Sequence, residues 1–276
     1  MGVGISVTTS LQKTNITKLI AMGRIIAYVF VLLLFVISYN GCFKKKTEPL
    51  SLRLKGDTTI ALSQHNMLTA AEIEEGWHLL FDGTTTKGWR GFRNDSAVGW
   101  TVEEGNLVAP GKGDGVSGDI ITVDQFENFE LSLEWKISPE GNSGIMYHVL
   151  EDNFEAAWAT GPEYQIIDDI GFPEKLEPWQ TTGANYAMHP PVNAKVKPVG
   201  EYNSSRIVIK STHVEHWLND TKVVEFEQWS DDWYTRVKEG KWKDYPKYGL
   251  AKKGHIALQD HGKKIWFRNI KIRIIE

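Results

Sequence analysis

Glu163 and Gln165 are side chains whose types and spacing would place an acid–base group next to a hydrogen-bonding amide. They lie two residues apart in a short β-type segment, and side chains two apart in a strand point to the same face. A carboxyl group can act as a general acid or base, and an amide can hydrogen-bond to a hydroxyl group. The pair therefore predicts one wall of a polar cleft.

Two further candidates for proton transfer lie on neighbouring predicted strands. Glu134 is on the polar face of the alternating segment 129–137, and His148 is near the end of the segment 143–149. Either side chain could act as a base. The alternatives are a solvated surface carboxylate for Glu134 and a structural strand histidine for His148.

Other polar side chains are candidates for substrate binding. Gln259 and His261 share a strand face next to a glycine, and Asn142 precedes Gly144, where the missing side chain would allow a ligand to approach closely. Arg268 could bind substrate or pair with a carboxylate. Tyr186, in the long loop 172–199, could close over a bound sugar.

Asp168 and Asp169 follow the strand of Glu163 directly. Carboxylate oxygens are ligands for divalent cations, so the two could bind such an ion. They could equally cap a turn. A divalent cation is therefore a possible cofactor, no other cofactor is indicated, and Asp168 is also a candidate for substrate binding.

Composition excludes several classes of function. The net charge of −4 gives no basic surface of the kind that binds nucleic acid. The single cysteine rules out an intramolecular disulfide and a multi-thiolate zinc site. No nucleophile elbow, P-loop or metalloprotease signature is present. The segment Glu134–Glu140 lacks the middle carboxylate of the Glu-x-Asp-x-x-Glu strand of sandwich glycosidases, which argues against an ordinary retaining site.

The N-terminal region is typical of a targeting segment. Residues 25–38 form an apolar run that follows basic residues and precedes Gly41-Cys42. This pattern predicts a lipoprotein-type signal segment over 1–42, with lipidation of Cys42 and a periplasmic or cell-surface location. A plain signal anchor with an incidental cysteine is the alternative. The polar residues 43–66 are predicted to form a flexible tether.

The remaining residues, 67–276, are predicted to form one all-β domain. A capping box begins a short N-terminal helix at Thr69, and the residues 228–248 suggest an irregular insertion with a short helix. The alternation over 129–137 predicts a strand with one buried face. About a dozen such segments, separated by long loops, indicate a β-sandwich.

Several phrases in this domain, taken in order, resemble the 3-keto-disaccharide hydrolase family, which is also described as 3-keto-glucoside 1,2-lyase/3-keto-2-hydroxy-glucal hydratase. The resemblance covers roughly residues 70–276 and implies a concanavalin-like jelly roll with a sugar cleft on its concave sheet. The phrases are EGWHLLFDG at 75–83, FELSLEW at 129–135, NSGI at 142–145, EYQIIDD at 163–169, GEYN at 200–203, HWLN at 216–219, HIALQDHG at 255–262 and FRNI at 267–270.

The resemblance also implies a reaction. A partner oxidoreductase oxidises the C3 hydroxyl of a sugar to a ketone, a base removes the proton from C2, the glycosidic oxygen leaves C1, and water adds to the product. Glu134, His148 and Glu163 are the candidate catalytic groups for these steps. A non-catalytic glycan-binding module and a conventional glycosidase are the alternatives, since one fold hosts several functions.

Overall fold

The computed structural model describes residues 52–53, 59–60, 65–111, 118–151, 154 and 156–276. The chain divides into two units, residues 1–61 and 62–276. In the first unit, strands β1 (Leu52–Arg53) and β2 (Thr59–Ile60) pair in antiparallel fashion. The predicted signal segment 1–42, with Cys42, lies outside the described residues. No helix in the part of the chain that the structure describes is long and apolar enough to cross a membrane.

The second unit consists of short strands with two short helices, α1 (Ala70–Glu74) and α2 (Asp231–Glu239). The strands are β3 (His78–Leu79), β4 (Trp89–Gly91), β5 (Thr101–Glu103), β6 (Asn106–Ala109), β7 (Ile120–Thr122), β8 (Phe129–Ile137), β9 (Asn142–Val149), β10 (Glu163–Ile167), β11 (Asn203–Lys210), β12 (His213–Leu218), β13 (Thr221–Glu227), β14 (His255–Leu258) and β15 (Ile265–Ile274).

These strands form two antiparallel sheets. The five-stranded sheet has the order β10-β9-β14-β7-β4, and the eight-stranded sheet has the order β13-β12-β11-β8-β15-β6-β5 with β3 beside β15. The chain crosses repeatedly from one sheet to the other, as in a jelly roll. The predicted all-β jelly-roll sandwich is thus confirmed, and the last strand ties the two ends of the unit together by pairing with β3, β6 and β8.

The core between the sheets follows from the alternation in β8. Its five apolar side chains are all buried, and they pack against Ile145 and Tyr147 of β9 and Tyr164 and Ile166 of β10. Because alternate side chains point to opposite faces, Glu163 and Gln165 must lie on the outer face of the five-stranded sheet.

One buried histidine joins both sheets to the long loop. His216, on β12, donates its Nδ1 proton to the carbonyl oxygen of Gly183 in the loop, at 3.0 Å. Its Nε2 accepts the hydroxyl proton of Tyr147 on β9, at 3.2 Å. Burial lowers the pKa of His216 to about 4, so the ring is neutral at pH 7 and keeps these two roles.

The predicted insertion 228–248 does contain a helix, and a stack of aromatic rings holds it. Trp233 of α2 stacks between Phe226 of β13, at 5.6 Å, and Tyr248, at 5.9 Å. Tyr248 stacks in turn on Trp242 at 3.9 Å. These ring contacts anchor the segment that contains Lys241.

The domain begins slightly earlier than the predicted residue 67. The backbone N–H of Asn66 donates to Oδ1 of Asn269 at 2.6 Å, and the Asn269 N–H donates to Oδ1 of Asn66 at 2.8 Å. Asn66 is buried, so it belongs to the folded unit and not to a tether. The capping box at Thr69 is present as predicted.

We expect Trp233→Ala to lower the free energy of unfolding by about 3–5 kcal/mol, because it removes a fully buried ring from the middle of the stack. The adjacent Tyr234→Ala is the matched control, since Tyr234 is 49% exposed. It should change stability by less than about 1 kcal/mol. Urea denaturation measures both, and equal losses would contradict the anchoring role of the stack.

Candidate functional site

A cavity of about 270 Å³ opens on the outer face of the five-stranded sheet. Strands β9 and β10 supply its wall, the chain that follows β14 supplies a second side, and three irregular segments cover it. Its lining residues are Asn142, Trp158, Glu163, Gln165, Tyr186, Lys241, Gln259 and His261.

The floor beside Glu163 is apolar. Met146 is the cross-strand partner of Glu163, and Ala257 and Ile121 continue the same row across the sheet. These three side chains are fully buried and form a second apolar cluster with Val149 and Ala157. A carboxylate next to this floor is poorly solvated, which disfavours its charged form.

Gly144 makes room for the carboxyl group of Glu163. A Cβ atom at Gly144 would lie 2.1 Å from Glu163 Oε1, closer than real contacts allow. Gly144 is also the register partner of Gln165, and its carbonyl oxygen accepts the backbone N–H of Gln259 at 3.0 Å. The glycine that the sequence suggested for ligand approach therefore accommodates a protein side chain.

Glu163 is a neutral acid at physiological pH. Burial raises its pKa to about 8, and the nearby carboxyl group of Asp119 raises it further, while the charge of Lys241 opposes the shift. At pH 7, roughly ten molecules carry the proton for each that has lost it. Burial likewise raises the pKa of Asp119, to about 7. Asp119 does not line the cavity. A carboxyl group that is shifted towards neutrality in a cavity, as Glu163 is, is typical of a proton-transfer site.

Two amide oxygens of the wall lack a hydrogen-bond partner. Asn142 Oδ1 and Gln165 Oε1 are buried, and neither has a donor among the residues that the structure describes. A buried acceptor without a partner costs about 1–3 kcal/mol. Hydroxyl groups of a ligand would satisfy both oxygens, so this wall is suited to a sugar.

Lys241 reaches the cavity through a group of aromatic rings. Its Nζ lies 4.4 Å from the ring centre of Tyr186, 4.7 Å from that of Trp242 and 5.6 Å from that of Trp158. The residue as a whole is exposed, but its amino end lies among the rings and is partly buried. This partial burial lowers the pKa of Lys241, and Glu163 opposes the shift.

The structure brings together most of the side chains that the sequence singled out. Six of them line the one cavity: Asn142, Glu163, Gln165, Tyr186, Gln259 and His261. Their individual roles stay predictions. Sequence reasoning missed Trp158 and Lys241, which lie in or beside short 3₁₀ turns without periodicity. Aromatic density in the segment 228–248 was the only signal for the second.

Glu134 and Arg268 do not lie in this cavity, which corrects the expectation for both. They are cross-strand partners on β8 and β15 of the other sheet, and Arg268 Nε donates to Glu134 Oε2 at 2.6 Å. The guanidinium group also lies 3.5 Å from the ring centre of Tyr202. The two side chains form an ion pair on the eight-stranded sheet.

His148 is also placed away from the cavity. Its backbone φ of +53° marks an irregularity in β9 that turns the ring out of the expected alternation. The buried ring donates from Nε2 to the carbonyl oxygen of Glu127 at 2.8 Å and contacts Phe129 edge-on. Burial lowers its pKa, so the ring is neutral and structural.

The two aspartates after β10 cap turns. Asp168 accepts the backbone N–H groups of Glu140 at 2.9 Å and Gly171 at 2.8 Å, and Asp169 accepts that of Thr182 at 2.9 Å. Asp168 lines a separate groove and not the cavity of Glu163, and its role in substrate binding stays a prediction.

Among the described residues, the group with metal-ligand spacing lies elsewhere. It consists of His213, Glu215 and Glu225 on the β12–β13 hairpin. Lys222 Nζ already pairs with Glu215 at 3.1 Å and with Glu225 at 2.7 Å. The single positive charge of Lys222 is thus shared by both carboxylates of the cluster.

Comparison with known proteins gives consistent matches. The profile of the 3-keto-alpha-glucoside-1,2-lyase-like domain matches residues 76–273. A Bacteroides thetaiotaomicron protein named 3-keto-disaccharide hydrolase is 34% identical over 254 residues, which make up 79% of this chain and 87% of that protein.

Two crystal structures from Parabacteroides distasonis, of proteins provisionally described as glycosyl hydrolases, are also similar. The first is 43% identical with a TM-score of 0.74, over 77% of this chain and 100% of the other. The second is 31% identical with a TM-score of 0.57, over 72% of this chain and 99% of the other.

We expect Glu163→Gln to stabilise the protein increasingly as pH rises. The folded pKa, about 8, lies above the ordinary value of 4.5, so between these values the folded state keeps a proton that the unfolded state releases. The wild-type free energy of unfolding therefore falls over this window, by several kcal/mol. In Glu163→Gln the side chain does not ionise, so the free energy of unfolding does not fall in this way.

Urea denaturation at pH 5, 7 and 8.5 checks this expectation. Glu134→Gln is the control, because Glu134 lies on the other sheet in a partly exposed ion pair. It should show no gain that grows with pH. A difference between Glu163→Gln and wild type that is constant with pH would contradict the buried, neutral carboxyl group.

Proposed function

Because the chain belongs to the family of 3-keto-alpha-glucoside-1,2-lyase-like domains, we propose that it cleaves 3-keto-glycosides by elimination followed by hydration. The names of the similar proteins support glycoside cleavage in general. The observation that carries the finer proposal is the buried Glu163, protonated at neutral pH in a cavity of amides and aromatic rings.

The reaction sets three demands on a site. A ketone at C3 acidifies the proton on C2, so a base must accept that proton. Positive charge must stabilise the electron pair that moves towards the C3 oxygen. An acid must protonate the glycosidic oxygen as it leaves C1, and water must then add to the unsaturated sugar.

Glu163 is suited to the acid step. Its carboxyl group carries a proton at pH 7, which it donates to the departing oxygen. The carboxylate that results is poorly solvated beside the apolar floor and readily takes a proton back. The water molecule that adds to C1 supplies this proton, so hydration restores the starting state of Glu163.

We assign the role of the base to His261 and the role of the positive charge to Lys241. His261 is exposed at the cavity and makes no hydrogen bond within the described residues, so its imidazole would accept the C2 proton. Lys241 brings positive charge into the cavity and would face the C3 oxygen. A charge placed among rings, with little water, stabilises such an oxygen more than it would in bulk solvent.

The remaining lining residues would hold the sugar. Asn142, Gln165 and Gln259 supply amide groups for hydroxyls, and Trp158 and Tyr186 supply apolar ring surfaces. The cavity volume of about 270 Å³ is near the lower end for ligand pockets. It is therefore suited to one sugar ring, with the leaving group directed out of the cavity.

The setting of the reaction is a proposal on the basis of the sequence alone. A separate sugar oxidoreductase would supply the 3-keto substrate. Residues 1–42 would direct export, and lipidation of Cys42 would anchor the domain to a membrane. Labelling with a radioactive fatty acid, lost in Cys42→Ala, tests the anchor.

We expect the protein to release the reducing sugar from a 3-keto-disaccharide and not from the unoxidised parent. Glu163→Gln should lower kcat by about 10²–10⁴-fold, the usual contribution of general acid–base catalysis. Glu134→Gln should stay within a few-fold of wild type, because it lies on the other sheet. Cleavage of the parent would instead indicate a conventional glycosidase, and binding without cleavage would indicate a glycan-binding module.

Activity should fall on the alkaline side because the acid must carry its proton. With a folded pKa of about 8 for Glu163, kcat/KM should fall about tenfold for each pH unit well above that value. A pH profile from 6 to 10 measures the fall. An alkaline limb that persists unchanged in the residual activity of Glu163→Gln would assign it to another group.

A further inference from the structure

We propose that the side chain of Lys241 attacks the C3 carbonyl carbon of the substrate and forms an iminium ion with it. The inference rests on the proposed function, because it requires a ketone in the cavity. It changes the role of Lys241 from a nearby charge to a covalent catalytic group.

The position of Lys241 is fixed by its neighbours along the chain. It begins the 3₁₀ turn Lys241–Asp244, in which the next residue, Trp242, is fully buried and stacked on Tyr248. Trp242 Nε1 also donates to the carbonyl oxygen of Tyr186 at 3.3 Å, which ties the turn to the long loop. The amine therefore enters the cavity from an anchored segment, as a nucleophile requires.

Lys241 lines the cavity and differs in its partners from three lysines that pair with carboxylates. Lys222, Lys263 and Lys264 each pair with a carboxylate within 3.1 Å. No such pair is found for Lys241 in the part of the chain that the structure describes, and aromatic rings surround its amino end instead.

The carboxyl group that lines the same cavity does little to hold Lys241 in its charged form. Glu163 is mostly protonated at pH 7 and so carries little negative charge. Partial burial lowers the pKa of Lys241 as well. Burial therefore enlarges the fraction of neutral amine, which is the form that attacks a carbonyl carbon, and Glu163 opposes this effect only to the extent that it is ionised.

The bonds and protons of this step balance. The Nζ lone pair forms a bond to C3, the carbonyl π pair moves to oxygen, and that oxygen leaves as water once it has gained two protons, one from the amine and one from Glu163. A positively charged iminium remains. Glu163 then regains a proton from solvent, and His261 accepts the C2 proton, which produces a neutral enamine. The electron pair of the enamine expels the glycosidic oxygen from C1, and Glu163 protonates this oxygen as it leaves. The proton taken from solvent is released again when the iminium is hydrolysed.

The later steps return the free lysine. Water adds to C1, a proton returns to C2, and a second water molecule hydrolyses the iminium to release the 3-keto sugar. The positive charge that stabilises the C2 carbanion is now bonded to C3 itself, and is more effective than a charge held across a hydrogen bond. No oxidant or reductant is needed.

Reductive trapping tests the proposal. The intact protein is incubated with a 3-keto-disaccharide and sodium cyanoborodeuteride, digested, and searched by mass spectrometry for a deuterium-labelled sugar adduct. We expect the adduct on Lys241. Lys238→Arg, an exposed position on α2 outside the cavity, is the control and should keep the adduct and the activity.

Lys241→Arg separates charge from nucleophilicity, because arginine keeps the positive charge but does not form the iminium. We expect it to lose the adduct and at least 100-fold in kcat. Parallel samples without the reductant measure release of the reducing sugar. The adduct in the wild-type protein is read independently of whether this variant folds.

The outcomes distinguish the inference from the function on which it rests. Two results together would overturn the iminium and leave the proposed function unchanged. They are turnover by the wild-type protein without an adduct on Lys241, and a kcat of Lys241→Arg within tenfold of wild type. An adduct spread evenly over surface lysines would also overturn it. Failure of the wild-type protein to release sugar from the keto substrate would overturn the proposed function.

Discussion

The burial of the Glu163 carboxyl group constrains the residues that surround the cavity. Glu163 lies at the end of an apolar row across the five-stranded sheet, where its charged form is costly. The sheet accommodates it by placing glycine at position 144, and the adjoining wall carries buried amide oxygens without partners among the described residues. Strand register, the glycine and the covering segments all serve to keep this carboxyl group away from bulk water.

The covering segments depend on contacts that cross the whole sandwich. His216 reaches through the core to the long loop at Gly183, and the stack that includes Trp233 holds the insertion. The long loop has little regular structure, and the insertion contains only α2 and one 3₁₀ turn. Their order therefore depends on a few buried polar and aromatic groups, and the shape of the site is coupled to the packing of the core.

The alternation of apolar and polar residues in β8 and β10 predicted correctly which face of the strand each side chain occupies. It did not predict which of the two sheets each strand belongs to. Period-two alternation placed the β8 core and the shared face of Glu163 and Gln165 correctly, because it needs only neighbouring residues. The same pattern made Glu134 look equivalent to Glu163, although the two lie on different sheets. His148 was assigned to the wrong face because a local irregularity with positive φ interrupts the alternation of its strand. Lys241 was not identified because it lies in a turn without periodicity.

The position of the Glu163 carboxyl group depends on the absence of a side chain at Gly144. A side chain at position 144 would meet the carboxyl group at 2.1 Å, so the carboxyl group would have to leave its present place. The reverse does not hold, because a chain without a carboxyl group at position 163 could fill that space. A bulkier residue at position 144 of a related protein would therefore indicate that the carboxyl group is placed differently there or is absent.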